Sequence, residues 1–154
     1  MANLDNIKQI SGTWTGHNSL WLQPGTPVIE SDTSATIGAV AGGKVVTLDY
    51  AWTHEGEPQD GLIVLSIDDA EGVHMAWCDS FHMDAKIMNL IGDGSGEAIA
   101  ATGSWQIADS EPWGWRIELE PQGLNAFQMR MYIILPESMG GVEGLGVQGD
   151  YTRA

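Results

Sequence analysis

The residues of this chain that are best suited to chemistry lie in one segment around Asp79. His74 and His82 flank the carboxylate, and Asp84 follows closely. Asp79 paired with His82, or with the more distant Arg130, has the side-chain types that general acid–base catalysis needs, since a carboxylate and an imidazole can exchange a proton near neutral pH. One interpretation of the segment is therefore a small-molecule isomerase or hydrolase.

The same side chains lack the spacing of a metal site. His74 and His82 are eight residues apart, so roughly 27 Å would separate them on a straight strand. That distance is too great for one ion, and the pair His82 and Asp84 supplies too few ligands. We therefore predict neither a metal nor any other cofactor.

The residues around Asp79 alternate as those of a β-strand do. The odd-numbered face of residues 73–81, which we predict to be the inner one, carries Val73, Met75, Trp77, Asp79 and Phe81. His74, Cys78 and His82 fall on the opposite face. Inside an apolar enclosure the Asp79 carboxylate must be paired or protonated, because a naked buried charge is costly. A structural hydrogen bond meets that requirement as well as a ligand contact or a catalytic role does.

The rest of the chain repeats this alternation in short runs separated by glycine-rich turns. It predicts ten strands, over residues 11–22, 32–40, 44–54, 61–67, 73–81, 86–91, 98–107, 113–120, 125–135 and 144–153. Leu4, Ile7 and Ile10 form one stripe, which predicts a short helix over residues 3–10 with Asn3 as its N-cap. Consecutive antiparallel strands favour an up-and-down barrel, which leaves no apolar edge exposed. We therefore predict one all-β domain over residues 1–154, a ten-stranded antiparallel barrel with the helix covering one end.

The apolar faces of the predicted strands supply the aromatic and methionine side chains of a ligand cavity. A barrel of eight to ten strands is wide enough to hold a small molecule. We therefore favour the binding of a small, largely apolar molecule inside the barrel, although the same side chains would also fill a ligand-free dimeric structural module. The predicted cavity residues are Trp52, Trp77, Trp115, Met129 and Met131, with Asn18 and Asp79 as polar contacts.

The charge of the chain limits its partners. Asp and Glu number 21 against 6 Lys and Arg, which gives a formal net charge of -15. Such acidity disfavours nucleic acids and anionic membrane surfaces, because both attract cations. No secretory signal or membrane-spanning run is evident, and the single cysteine, Cys78, forms no intrachain disulfide. We expect a cytoplasmic protein, with a homodimer as a possible assembly.

Three short segments resemble known families. Gly12-Thr13-Trp14 on the first predicted strand, with Arg153 on the last, resembles the closed end of barrels in the calycin superfamily, which includes lipocalins, fatty-acid-binding proteins and avidins. With residues 75–80 (MAWCDS) and 149–153 (GDYTR), the pattern resembles a bacterial family of uncharacterised lipocalin-like proteins, known as a domain of unknown function. The resemblance implies a barrel end held by the Arg153 guanidinium over the Trp14 indole, a contact worth about 0.5–2 kcal/mol. It implies no activity.

A second resemblance, to haem-binding proteins of the nitrobindin type, covers only the similar start of the first strand. Those proteins hold iron with a histidine close to the C-terminus. This sequence has no histidine after His82. The resemblance therefore stops short of haem.

Overall fold

The structure is a computed structural model that describes residues 4–94, 96–106 and 109–154. In that part of the chain one helix, α1 (Leu4–Lys8), precedes ten strands. These are β1 (Gly12–Leu20), β2 (Ile29–Val40), β3 (Val45–His54), β4 (Glu57–Ile67), β5 (Gly72–Asp79), β6 (Met88–Asp93), β7 (Ile99–Trp105), β8 (Trp113–Pro121), β9 (Ala126–Ile134) and β10 (Glu143–Arg153). The predicted N-cap Asn3 and the predicted strand end Ile107 lie outside the described residues.

The strands close into one barrel. Each strand pairs antiparallel with its neighbours in the chain, and β1 pairs with β10, where Trp14 lies opposite Arg153. Alternate residues of each strand point into the barrel, so the apolar half of each strand is buried and the polar half faces out. Closure also removes the sheet edges, which would otherwise expose unpaired backbone groups. The prediction of an all-β, ten-stranded antiparallel barrel with one short helix is confirmed.

The two ends of the barrel are covered by different segments. At the helix end, where β1 begins and β10 finishes, Ile7 of α1 and Ile10 just after it are buried in the core. At the opposite end, residues 80–87 between β5 and β6 lie over the barrel and bury Met83. We call this second end the aromatic end, after the rings described below. No helix in the described ranges has the length and apolar character needed to cross a membrane.

Several strand ends differ from the predicted ones, and at one of them the cause is a tight turn. The β3–β4 turn consists of only Glu55 and Gly56, because His54 already pairs with Glu57. Both turn residues have positive φ, 52° and 80°, as the tightest hairpin turns require. Strand β4 therefore begins at Glu57, four residues earlier than predicted. Strand β5 ends at Asp79, two residues earlier than predicted.

Candidate functional site

Asp79 ends β5 and is the centre of a buried hydrogen-bond network. Its Oδ2 accepts a hydrogen bond from the Tyr50 hydroxyl at 2.6 Å, and the Trp77 Nε1 donates to that hydroxyl at 2.9 Å. Its Oδ1 accepts from the backbone N–H of Phe81 at 2.8 Å, and from the backbone N–H and Nδ1 of His82 at 2.9 and 3.1 Å. Asp79 is only 3% exposed. The network therefore ties β3, β5 and the turn after β5 together.

A glycine makes room for the Tyr50 ring. Tyr50 pairs with Gly61 across β3 and β4, and Gly61 pairs with Asp79 across β4 and β5. A Cβ at Gly61 would lie 2.3 Å from the Tyr50 hydroxyl oxygen, far inside van der Waals contact. Only glycine therefore lets the ring cross β4 and reach the carboxylate two strands away.

The contacts of Asp79 hold its carboxyl group ionised. Burial is the strongest influence and raises the pKa of Asp79, but the hydrogen bond and charge of His82, with the hydroxyl of Tyr50, bring that pKa below its ordinary value. Burial, followed by the charge of Asp79, raises the pKa of Tyr50 well above its ordinary value, so the phenol remains a donor. Because an ionised carboxylate only accepts hydrogen bonds, His82 must donate from Nδ1. In the neutral ring, Nε2 then carries the lone pair.

Five rings pack together beside this network and form what we call the aromatic cluster: Trp52, Trp77, Phe81, His82 and Trp115. Trp77 and Trp115 stack with their centroids 5.1 Å apart and their planes 7° from parallel. The His82 ring lies 5.2 Å from Trp115 and 6.0 Å from both Trp52 and Trp77. Phe81 meets Trp52 edge-on at 5.3 Å. The turn that Asp79 holds thus packs the Phe81 and His82 rings over the end of the barrel.

Three buried side-chain atoms have no hydrogen-bonding partner among the described residues: Trp115 Nε1, His54 Nδ1 and Ser31 Oγ. Trp115 belongs to the aromatic cluster, and the His54 ring lies 4.8 Å from Phe81. Buried polar groups in folded proteins are nearly always paired. An unpaired buried donor or acceptor costs about 1–3 kcal/mol. Their presence therefore marks the aromatic end as the candidate site.

Ser31 belongs to the same end of the barrel by its register. It pairs with Asn18 across β1 and β2. The pairing of β2 with β3 ends at Ser34 and Ala51, and Ser31 and His54 each lie three residues beyond that pair, towards the aromatic end. The unpaired serine and histidine therefore lie towards the same end of two adjacent strands.

The predicted cavity residues fall into two groups. Trp52, Trp77, Asp79 and Trp115 meet at the aromatic end. Asn18 is buried on β1, and Met129 and Met131 are buried on β9, two strands that are each separated from β5 by three others. The structure thus brings four of the seven residues together, and of the other three Asn18 is the cross-strand partner of the site residue Ser31.

Two expectations about the chemistry of Asp79 need correction. Arg130 lies on the outer face of β9, where it pairs with Glu118 at 2.9 Å and Glu120 at 2.7 Å. Its neighbours Met129 and Met131 point inward, so Arg130 cannot meet Asp79, and the interpretation that pairs them is wrong. His82 was expected on the outer face with His74, but the strand ends before it and the turn brings its ring inward.

Sequence reasoning missed Tyr50, His54 and Ser31 as site residues. For Tyr50 a signal was available, because an inward-facing aromatic residue opposite a glycine commonly lies across that glycine. The short turn at Glu55 and Gly56 puts Tyr50 opposite Gly61. Ser31 and His54 carried no such signal, because their lack of partners depends on the packing of the finished barrel.

At the helix end, the polar groups of Arg153 and Trp14 have hydrogen-bonding partners. The Arg153 guanidinium carbon lies 4.6 Å from the centroid of the Trp14 ring. Its nitrogens donate to the carbonyl oxygens of Ser11 at 2.8 Å and Leu124 at 2.9 Å. Trp14 Nε1 donates to the carbonyl oxygen of Ile10 at 2.9 Å. These contacts join both ends of the chain to the β8–β9 turn, and they leave the polar atom of Trp14 satisfied.

A groove of about 500 Å³ on the outer faces of β1 to β4 is a less suitable site. Exposed small and hydroxyl side chains line it, among them Thr13, Ser34, Thr36 and Ala51. Exposed hydroxyl groups can bond to water, so the groove needs no ligand to satisfy them. Within the described residues, no three His, Cys, Asp or Glu side chains are placed to hold a metal ion. We therefore assign the candidate site to the aromatic end.

Comparison with models of protein families identifies the family of this chain. A family model described as "Protein of unknown function (DUF1579)" matches residues 4–153. No curated protein matches the chain. The matched range contains both Trp14 and Arg153 and every residue of the candidate site.

Proposed function

We propose that this chain, which belongs to the DUF1579 family of unknown function, binds a small, largely apolar molecule inside the barrel at its aromatic end. The observation that carries the proposal is the set of unpaired buried atoms, Trp115 Nε1, His54 Nδ1 and Ser31 Oγ, within the described part of the chain. In a core built only for packing, apolar groups of the same shape would be at least as stable. In a binding site, a few polar groups set in an apolar wall orient the ligand.

The charges of the site favour a neutral ligand. Asp79 is ionised and lies in contact with His82, and the whole chain carries a formal net charge of -15. An anion brought to this end would be repelled by both. The aromatic rings supply a surface on which flat apolar groups pack well. Entry requires residues 80–87 to move aside, since Phe81 and His82 lie over the end.

A lipocalin-like assignment within the calycin superfamily belongs to the same proposal. Its support is the up-and-down order of the strands, the pairing of β1 with β10, and the Arg153 guanidinium over Trp14. A ligand at the end away from the stacked arginine suits such a barrel. A bacterial origin and a cytoplasmic location stay predictions from the sequence.

Binding can be tested without knowing the natural ligand. Native mass spectrometry of freshly purified protein should show added mass, and the neutral dye N-phenyl-1-naphthylamine should fluoresce when it is mixed with the protein. Ser31→Leu fills the space beside an unpaired atom and should weaken dye binding roughly tenfold. Ser34→Leu is the matched control, because it makes the same change on the outer face of the same strand.

Three outcomes decide between the interpretations. Dye binding that Ser31→Leu weakens and Ser34→Leu does not supports the interior site. No added mass and no dye binding contradict the proposal, and a dimer in solution would then favour a ligand-free structural module. Equal weakening by both variants would place the dye on the outer surface, which also contradicts it.

A second candidate function is catalysis by the pair Asp79 and His82. The 3.1 Å contact between Asp79 Oδ1 and His82 Nδ1 orients the ring as a general base is oriented, with Nε2 left to take a proton from a bound molecule. An isomerase or a hydrolase would use such a base. Asp79→Asn should then retain a bound compound and abolish its turnover. Equal affinity without turnover in either protein would exclude this function.

A further inference from the structure

Two nitrogen atoms of the aromatic cluster define the chemistry of a ligand at this end. The indole Nε1 of Trp115 can only donate a hydrogen bond. Trp115 is 3% exposed, and its Nε1 has no acceptor among the described residues. A ligand that reaches this buried donor therefore needs a hydrogen-bond acceptor. The adjacent His82 ring, 5.2 Å away between centroids, offers the second atom.

Asp79 determines which hydrogen bond His82 can make. Its carboxylate accepts a hydrogen bond from the protonated Nδ1 of the ring, so Nε2 of the neutral imidazole is an acceptor. Within the described ranges this nitrogen is not one of the buried unpaired atoms, and the His82 side chain is 16% exposed. Asp79 thus acts as a positioning residue, because it fixes the tautomer without itself facing a ligand. Three of its four hydrogen bonds come from the turn, and the fourth comes from Tyr50.

We infer that the ligand is a flat, neutral molecule in which a carbonyl-type acceptor stands next to an N–H or O–H donor, as in a lactam ring. The acceptor of the ligand accepts a hydrogen bond from Trp115 Nε1, and its donor gives one to His82 Nε2. The inference rests on the proposed binding function and narrows its ligand class. A flat shape suits the aromatic rings that form this end, because flat apolar groups pack well on such rings. The two polar atoms of the ligand must be close together, because the Trp115 and His82 rings that they meet are in contact.

Two probes of similar size separate ring packing from hydrogen bonding. Quinolin-2(1H)-one carries the carbonyl and the neighbouring N–H, whereas naphthalene carries neither. Quinolin-2(1H)-one should bind the wild-type protein roughly tenfold more tightly than naphthalene does, because a buried site built to hydrogen-bond discriminates against a partner that cannot. Binding is followed by tryptophan fluorescence and by ¹H–¹⁵N NMR. In the NMR spectra the Trp115 indole resonance should shift downfield with quinolin-2(1H)-one only.

Three variants test the assignment of the two nitrogen atoms. Trp115→Phe keeps an aromatic ring and removes the donor, so it should weaken quinolin-2(1H)-one binding about five- to tenfold and weaken naphthalene binding much less. Trp113→Phe, the same change two residues earlier on β8, is the control and should alter neither. Asp79→Asn should shift the ¹⁵N resonances of the His82 ring towards a mixture of tautomers and weaken only quinolin-2(1H)-one.

The outcomes separate this inference from the proposed function. If neither probe binds the wild-type protein, the proposed binding function itself is contradicted. If both probes bind equally well and Trp115→Phe affects them alike, a cavity is present and the inference is overturned. An indole resonance of Trp115 that does not move with quinolin-2(1H)-one also overturns it, because the N–H then points at a neighbouring ring.

Discussion

Removal of the Asp79 carboxylate should cost more stability than any ordinary surface substitution. Asp79→Ala deletes the acceptor of four hydrogen bonds and leaves the Tyr50 hydroxyl and two backbone N–H groups without it. A buried donor without an acceptor costs about 1–3 kcal/mol, and this substitution leaves three of them. Because the turn residues are only partly buried, we expect a total loss of about 3–5 kcal/mol in the free energy of unfolding.

Asp79→Asn separates the charge of the residue from its shape. The amide oxygen can still accept from the backbone N–H groups of Phe81 and His82, and the amide nitrogen can donate to the Tyr50 hydroxyl. The expected loss is therefore smaller, about 1–2 kcal/mol. Urea titrations followed by circular dichroism measure both variants. The control is Asp60→Ala, a change at an exposed carboxylate on the neighbouring strand β4, which should stay within about 0.5 kcal/mol.

The pH dependence gives an independent check of the same network. The pKa of Asp79 is lower in the folded protein than its ordinary value. A carboxyl of this kind stabilises the fold fully above its unfolded pKa of about 4, and the contribution is lost as pH falls through the folded pKa. The difference in stability between wild type and Asp79→Asn should therefore be largest near neutrality and shrink below about pH 4. A constant difference, or an Asp79→Ala loss equal to that of Asp60→Ala, would refute the reasoning.

Further predictions concern a buried tyrosine, a glycine and the arginine at the helix end. Burial raises the pKa of Tyr151 to about 12, so stability should fall by about 1.4 kcal/mol per pH unit between about pH 10 and the folded pKa. Tyr151→Phe should flatten that part of the alkaline unfolding curve, and an unchanged slope would contradict the assignment. Gly61→Ala should cost about 1–3 kcal/mol in urea unfolding because its methyl group meets the Tyr50 ring. Gly38→Ala, whose Cβ has no neighbour nearer than 3.8 Å, should cost less, and equal costs would argue against the clash. Arg153→Ala should lose about 1–2 kcal/mol. Arg153→Lys should recover less than half of that in thermal unfolding, since a point charge cannot reproduce the planar contacts, and full recovery would disprove the stacking argument.

The barrel could be predicted because strand periodicity is a local property. In β3, for example, Val46, Leu48, Tyr50 and Trp52 alternate with residues that face outward, and nothing outside the strand is needed to see it. Strand ends could not be predicted equally well. The turn at Glu55 and Gly56 needs positive φ at both positions, and a glutamate gives little indication of that conformation.

The candidate site could be predicted only within the strands, where successive side chains point to opposite faces. Asp79 was placed inside correctly because it lies within β5, and Arg130 could have been excluded because it alternates with the inward Met129 and Met131. His82 lies past the end of the strand, where counting alternate residues no longer decides which way a side chain points. Its position depends on the hydrogen bonds that Asp79 makes to the turn, which are tertiary contacts.

Two tryptophans of this barrel carry the clearest evidence for a division of roles between its ends. Trp14 is 1% exposed and Trp115 is 3% exposed, so their burial is nearly equal. Trp14 Nε1 donates to a carbonyl oxygen at the helix end, whereas Trp115 Nε1 has no acceptor among the described residues. Phenylalanine would occupy most of the same volume without the cost of about 1–3 kcal/mol that an unpaired buried donor carries. Packing alone therefore accounts for Trp14 with its partner Arg153. It does not account for the unpaired indole nitrogen of Trp115, which a ligand that accepts a hydrogen bond from it would explain.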